Sequence, residues 1–244
     1  MRNIKLLIEY DGSDYLGWQR QPQGPTVQEK IEEALKVITG EEVSLTASGR
    51  TDSGVHALGQ VANFRTGSGL GPEEFRKGLN SALPRDIAIL DAEEVPSEFH
   101  SQYSAKSKVY IYRILNRPQR SALLRKRVWH MPYAIDTGLL REAADLAVGE
   151  HDFRAFGQSG TEVKSTVRNL MRFTLKTDGA IIELEFEANG FLKRMVRLLT
   201  GTLVQAGKGR ITPGEFGRIL LSGEKNKFVF CAPPDGLYLK TVEY

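Results

Sequence analysis

The sequence predicts an α+β fold of two ferredoxin-like halves, residues 1–100 and 101–244. Their antiparallel sheets are expected to join into one extended sheet with the helices on one side. Three observations predict this. Segments with apolar residues at period 2 and at helical spacing follow one another as β-α-β-β-α-β through the first half. The same order returns in the second half, with one helix added. The middle strands of the second half are split by Asp178-Gly179, a hairpin turn signal, whereas those of the first are split by a longer glycine-bracketed run, Gly49 to Gly54.

Taken in order, Ile4, Leu6, Ile8 and Tyr10 alternate as a half-buried strand. Val27, Ile31, Ala34, Leu35 and Ile38 then fall on one helical face, with Thr26 and Glu29 at capping-box spacing and Gly40 at the stop. Residues 43–48 and 58–65 read as the middle strands. A second helix opens at Pro72 and turns Phe75, Leu79 and Leu83 inward, and a fourth strand begins at 86–90. In the second half, 108–115 alternates as a strand and 139–148 reads as an amphipathic helix closed by Gly149. Met171, Phe173 and Leu175 alternate before the hairpin signal, and Ile182, Leu184 and Phe186 after it, with Glu183, Glu185 and Glu187 outward. "FLKRMVRLLTGTLVQAG" reads as a helix with Met195, Leu198, Leu199, Thr202 and Leu203 on its apolar side. Thr212, Pro213 and Glu215 open one further helix, and 237–244 is the last strand. The boundary between halves falls near 96–104.

Composition narrows the function classes. Of 244 residues, 41% are hydrophobic and 26% charged, which is ordinary globular usage and argues against disorder. A single cysteine, Cys231, excludes an internal disulfide and suits a reducing compartment, so the expected location is cytoplasmic. No apolar run approaches the roughly 20 residues a spanning helix needs, and the start of the chain shows no signal-peptide cleavage site. The net charge is only +3, yet the basic residues cluster: Arg117, Arg120, Arg125, Lys126 and Arg127 in one segment, Lys193, Arg194 and Arg197 in another. Each cluster alone reads as a solvated face; two of them interleaved with aromatics point toward a polyanion such as nucleic acid.

The chemistry-bearing stretch is "SGRTDSGVH", residues 48–56. A connection longer than its turn requires is a common place for function, because a sheet holds it rigidly. Asp-Ser-Gly alone suits an Asx-turn or a helix cap, but that reading leaves Arg50 unexplained. A guanidinium beside Asp52 favours the ionised carboxylate, which in a cleft serves as nucleophile or general base. His56 stands four residues after Asp52, but His100, His130, His151 and Cys231 show no ligand spacing, so no metal is expected. No serine sits in a Gly-x-Ser-x-Gly context, and "TGSGLG" lacks the lysine of a phosphate-binding loop. Tyr110 and Tyr112 share a sheet face, suited either to packing or to stacking on an unpaired base. Lys193 and Arg197 lie one helical turn apart, for phosphate contact or as a cation near Asp52. From these residues three readings are open: an enzyme acting through Asp52, a non-catalytic RNA-binding module, and a hydrolase using Asp52 and His56.

"GRTDSGVHALGQVANF" resembles the catalytic loop of the bacterial tRNA pseudouridine synthase A family, whose hallmark is Gly-Arg-Thr-Asp-Ala/Ser-Gly-Val-His. "IEYDGSDYLGWQRQP", "FHSQYSAKSKVYIYRILN", "NGFLKRMVR" and "DGLYL" resemble its other blocks in the same order, so the likeness spans nearly the whole chain. The resemblance implies an isomerase that converts uridine to pseudouridine at positions 38–40, in the anticodon stem-loop of tRNA, with no cofactor and no metal. It implies Asp52 as nucleophile and Arg50 as the group that fills the space of the displaced base. It implies Tyr110 as the aromatic that packs on the uracil and Arg197 as the basic partner near the aspartate. It also implies a homodimer with one tRNA bridging both subunits. The chain departs from the family at Lys193-Arg194, where some members carry histidines, and at Leu198, where asparagine is common.

Overall fold

Alternation at the start of the chain sets the first sheet. In the computed structural model, which describes residues 1–160 and 163–244, β1 (Arg2–Tyr10) turns Ile4, Leu6, Ile8 and Tyr10 onto one face. Each is at most 2% exposed. The chain divides into two compact units, Met1–Lys106 together with Tyr238–Tyr244, and Ser107–Leu237. Five α-helices and ten strands occur among the described residues, an α+β fold.

In the first unit the elements run β1, α1 (Val27–Thr39), β2 (Thr46–Ala47), β3 (His56–Thr66), α2 (Pro72–Ala82) and β4 (Ile87–Val95). β1 pairs antiparallel with β3 on one side and β4 on the other. β2 pairs antiparallel with β3 at Thr46↔Asn63 and Ala47↔Ala62, giving the order β4-β1-β3-β2. Thr26 caps α1 by accepting from the Glu29 N–H, and Gly40 ends it at φ 74°, a left-handed conformation glycine adopts without penalty. Val27, Ile31 and Leu35 of α1 and Phe75 and Leu79 of α2 have no exposure, and Phe64 meets Phe75 edge to face at 5.4 Å.

β2 is shorter than the expected 43–48, and this frees the far end of β3. There β10 (Leu237–Glu243) pairs in parallel, Tyr238↔His56 and Leu239↔Ala57. The sequence reading assigned 237–244 to the second half; Tyr238–Tyr244 instead belongs to the first unit. The close approach of β10 is possible because residue 59 is glycine: a Cβ there would stand 2.6 Å from the Lys240 carbonyl oxygen.

The second unit runs β5 (Ser107–Asn116), β6 (Trp129–Met131), α3 (Thr137–Asp145), β7 (Gly149–Asp152), β8 (Val167–Asp178), β9 (Ile181–Ala188), α4 (Met195–Gly207) and α5 (Pro213–Ser222). β9 lies between β5 and β8, and β7 covers the outer edge of β8. The short strands β6 and β7 carry too few residues to show a period, and the sequence reading did not foresee them. The hairpin turns through Gly179–Ala180, one residue later than expected, with Asp178 still paired to Ile181. Glu185, expected outward, is 8% exposed and lies 3.3 Å from the Arg172 guanidinium. Thr212 and Glu215 close a full capping box on α5.

α4 departs most from its sequence reading. It begins at Met195, not near 191, because Arg194 takes φ 63° at the N-cap and the helix cannot extend through it. Eleven of its thirteen residues are buried, so it is a central helix and not one with an outer face. Lys193 therefore stands outside the helix, in the turn before it, and is not one helical turn from Arg197.

Candidate active site

The 48–55 connection leaves the sheet after Ser48, and each step of its path has an anchor. The Ser48 N–H donates to the Val61 carbonyl at 2.8 Å, the last rung of ladder geometry. Gln60, fully buried on β3, then takes over from the ladder. Its Oε1 accepts from the Ser48 hydroxyl at 2.6 Å and from the Val61 N–H at 3.1 Å, and its Nε2 donates to the Gly49 carbonyl at 2.8 Å. A buried amide satisfied in this way fixes the point where the chain departs.

Arg50 follows and is exposed, Thr51 is 7% exposed, and Asp52 is half-buried. The Thr51 carbonyl accepts from the Trp18 N–H at 3.1 Å, and its hydroxyl lies 2.7 Å from the Tyr10 phenol oxygen. On the other side of Asp52, the Ser53 hydroxyl and the Gly54 N–H both donate to the Tyr15 carbonyl, at 3.1 and 3.3 Å. The Asp52 carbonyl accepts from the Val55 N–H at 3.1 Å, closing a turn in which Gly54 takes φ 77°. Asp52 thus stands between two residues held by one segment, 10–18.

That segment can reach the loop because of its glycines. A Cβ at Gly12 would lie 1.9 Å from the Val55 carbonyl oxygen, and one at Gly17, where φ is 101°, 2.6 Å from the Thr51 carbonyl oxygen. Neither position tolerates a side chain in this packing. The sequence reading took Tyr10 as a core residue and did not pick out Gln60, Gly12 or Gly17. The available signals were a polar Gln60 inside the mostly apolar "ALGQVANF" and two glycines bracketing "SDYL".

His56 is a packing residue of this unit. It is 2% exposed, its ring stacks on Tyr238 at 4.6 Å between centroids, and Nδ1 lies 3.1 Å from the Gly12 N–H. Nδ1 is also 3.1 Å from an Asp11 carboxylate oxygen. The backbone N–H can only donate, so the lone pair on Nδ1 faces it. The Asp11 carboxylate is meanwhile occupied by the Ser13 N–H and hydroxyl, at 3.1 and 2.6 Å. Among the described residues, no three His, Cys, Asp or Glu side chains gather as a metal ion would require.

The other two candidates belong to the second unit. Tyr110 sits on β5 opposite Phe186, 8% exposed, with its ring edge-to-face against Phe191 at 5.1 Å. Tyr112, on the same face, has no exposure and donates its hydroxyl to the Pro233 carbonyl at 2.7 Å. Burial pushes the Tyr112 phenol well above its ordinary pKa, so it remains an O–H donor. Arg197 is the only charged residue of α4 and is half-buried. Its Nε donates to the Ala232 carbonyl at 2.8 Å, while the Ala232 N–H donates to the Arg197 carbonyl at 3.0 Å. One turn on, Gly201 admits the Phe230 carbonyl, which would lie 1.8 Å from a Cβ. Arg197 is therefore tied to the 230–232 segment twice, by its guanidinium and by its backbone carbonyl. The candidates fall two and two: Arg50 and Asp52 on one connection of the first unit, Tyr110 and Arg197 on β5 and α4 of the second.

Comparison with known proteins supplies the family. A family model described as tRNA pseudouridine synthase matches residues 6–104 and 143–244. The chain is 46% identical over 244 residues to a tRNA pseudouridine synthase A 2 of Clostridium perfringens, covering all of both chains. Over the same span it is 47% identical to a tRNA pseudouridine synthase A of Caldicellulosiruptor saccharolyticus and 48% to one of Geotalea uraniireducens, again covering all of both chains.

Proposed function

The chain belongs to the tRNA pseudouridine synthase family, and from that premise we propose that it converts uridine to pseudouridine at positions 38–40 of tRNA, with Asp52 as the nucleophile. It is an isomerase: the N1–C1′ glycosidic bond breaks, the uracil turns, and C5 bonds to C1′ as the C5 proton is lost and N1 gains one. Substrate and product have the same atoms, so the reaction consumes no energy source. One observation carries the assignment. Asp52 is the half-buried acid of a connection in which the residues on both sides are tied to segment 10–18. A carboxylate meant for covalent catalysis needs such fixed placement, and a mere turn residue does not.

The remaining roles follow from the resemblance. A uridine stacked in a stem must leave the stack at a cost of a few kcal/mol. Arg50, exposed on the same connection as Asp52, suits the task of filling the vacated space. Tyr110 offers a ring already oriented by Phe191, and stacking on a ring tolerates the in-plane rotation that fixed hydrogen bonds would resist. Arg197 supplies a positive charge whose position is set by Ala232. The exposed basic residues from Arg117 to Arg127 are candidates for phosphate contact. The working protein is proposed to be a cytoplasmic homodimer holding the anticodon stem-loop of tRNA. Among the described residues no helix is long and apolar enough to cross a membrane.

The test maps pseudouridine in unmodified tRNA exposed to the purified protein and to its Asp52→Asn variant. The expected result is modification at positions 38–40 by the first, and a loss of at least about a thousandfold in the second with tRNA binding retained. A variant with full isomerising activity would remove Asp52 from the role. A parent protein that binds tRNA and forms no pseudouridine would mark a binding module.

A further inference from the structure

The Tyr10–Thr51 hydrogen bond has no evident structural necessity. β1 is already secured by two antiparallel neighbours, and the Tyr10 ring is already buried at 2% exposure against Trp18, 6.0 Å between centroids. A phenylalanine would satisfy both. The hydroxyl nevertheless reaches the side chain of the residue that precedes Asp52, at 2.7 Å, in a site closed to water. Resting on the reading of Asp52 as nucleophile, we propose that Tyr10 is a positioning residue: its hydroxyl, bonded to Thr51, sets the backbone from which the Asp52 carboxylate is presented.

Three features support the role. Thr51 is held at two points, its carbonyl by the Trp18 N–H and its hydroxyl by Tyr10. Two bonds fix the rotation of residue 51 about its own backbone where one would leave a hinge, and the next carboxylate inherits that orientation. The anchors after Asp52 converge on the Tyr15 carbonyl, so the fixed span on either side of the acid belongs to one rigid segment. Burial also holds the Tyr10 phenol above its ordinary pKa, so the hydroxyl remains protonated and keeps its bond across the neutral range. Tyr10 makes no claim on the uridine itself. It acts through Thr51, and its hydroxyl also meets the side chain of Gln60, which holds Gly49.

The experiment uses the full chain and four variants, Tyr10→Phe, Thr51→Val, Thr51→Ser and the double Tyr10→Phe/Thr51→Val, assayed by release of tritium carried on uracil C5 of tRNA. Tyr10→Phe and Thr51→Val should each lower kcat about tenfold, the worth of one positioned hydrogen bond, with KM for tRNA unchanged. Thr51→Ser keeps the hydroxyl and should retain the parent rate. The double variant should be no slower than Tyr10→Phe alone, because the Thr51 change deletes a bond that Tyr10→Phe has already removed. A Tyr10→Phe protein with the parent kcat overturns the proposal. So does a Thr51→Ser protein as slow as Thr51→Val, or a kcat loss matched by an equal loss of folded protein in circular dichroism. Asp52→Asn assayed alongside separates the two layers: an active Asn variant overturns the reading of Asp52, whereas an inactive one beside a fully active Tyr10→Phe overturns only the role of Tyr10.

Discussion

Two connections join the middle strands of the two units, and they solve the same problem in opposite ways. In the second unit β8 and β9 stay in register from Arg172↔Glu187 down to Asp178↔Ile181 and reverse through Gly179–Ala180. Backbone groups there are satisfied locally. In the first unit β2 and β3 pair at two positions, after which residues 48–55 leave the ladder. Their polar groups are satisfied by Gln60 and by segment 10–18, far away in sequence. The first connection is not looser than the second; its order is supplied from outside. A carboxylate can be set at a chosen place only where the backbone escapes the two-residue repeat of a ladder, and long-range anchors make that escape rigid. The glycines follow the same division. Gly12 and Gly17 permit a close approach of two backbones, whereas Gly179 permits a local turn.

That division predicts the largest effect at Gly12. Gly12→Ala places a methyl group 1.9 Å from the Val55 carbonyl oxygen and 2.7 Å from its carbon, so one backbone must retreat. Retreat of segment 10–18 also pulls on the Tyr15 and Trp18 anchors. The expected cost is about 3 kcal/mol, on the order of 10 °C in melting temperature, with loss of pseudouridine formation in whatever remains folded. Thermal melts and tritium release check it. A cost below about 1 kcal/mol would mean that the loop slides on its support, and the contrast with the hairpin would fail.

How much of this could be read from the sequence divides along the same line. The β-α-β-β-α-β order of the first unit, the α1 cap at Thr26 and the capping box at Thr212 were legible because each depends on residues within a turn of one another. The loop itself was legible as too long and too charged for a turn. Its supports were not: the bonds from Gln60, Tyr10 and Tyr15 span 11 to 41 residues of sequence, and no local period encodes them. β10 was misplaced for the same reason, since alternation in 237–244 marks a strand without naming its neighbour. The start of α4 was missed because a left-handed arginine at 194 carries no signal that apolar spacing can reveal. Arg197 could be singled out by the resemblance, but its bond to Ala232 could not.

A third connection sharpens the comparison at a smaller magnitude. Between β5 and β6 the chain exposes Arg117, Arg120, Arg125, Lys126 and Arg127, with a turn closed by the Arg127 N–H on the Leu124 carbonyl. If long connections carry function here generally, this one should hold phosphates through charge, without the fixed geometry of the first. Replacing Arg125, Lys126 and Arg127 by glutamine should weaken tRNA binding about tenfold at low salt. The slope of log affinity against log salt should flatten by up to about 2, at about 0.7 for each phosphate no longer neutralised. Pseudouridine formation at saturating tRNA should be preserved. An unchanged slope excludes this patch from the RNA.

The smallest effect belongs to the turn that serves geometry alone. Gly179 takes φ 54°, and a Cβ added there meets nothing within 4 Å. Gly179→Ala therefore carries only the conformational penalty of a left-handed alanine, about 1 kcal/mol. Gly179→Asn should cost less than that, because asparagine tolerates the left-handed region and can bond to its own backbone. Urea midpoints order the three proteins as glycine, asparagine, alanine, and all three should modify tRNA at one rate once folded. The rate is the decisive measurement. If an alanine at 179 slows isomerisation by more than its loss of stability accounts for, the short hairpin shares in the chemistry, and the contrast between a connection built for function and one built for reversal no longer holds.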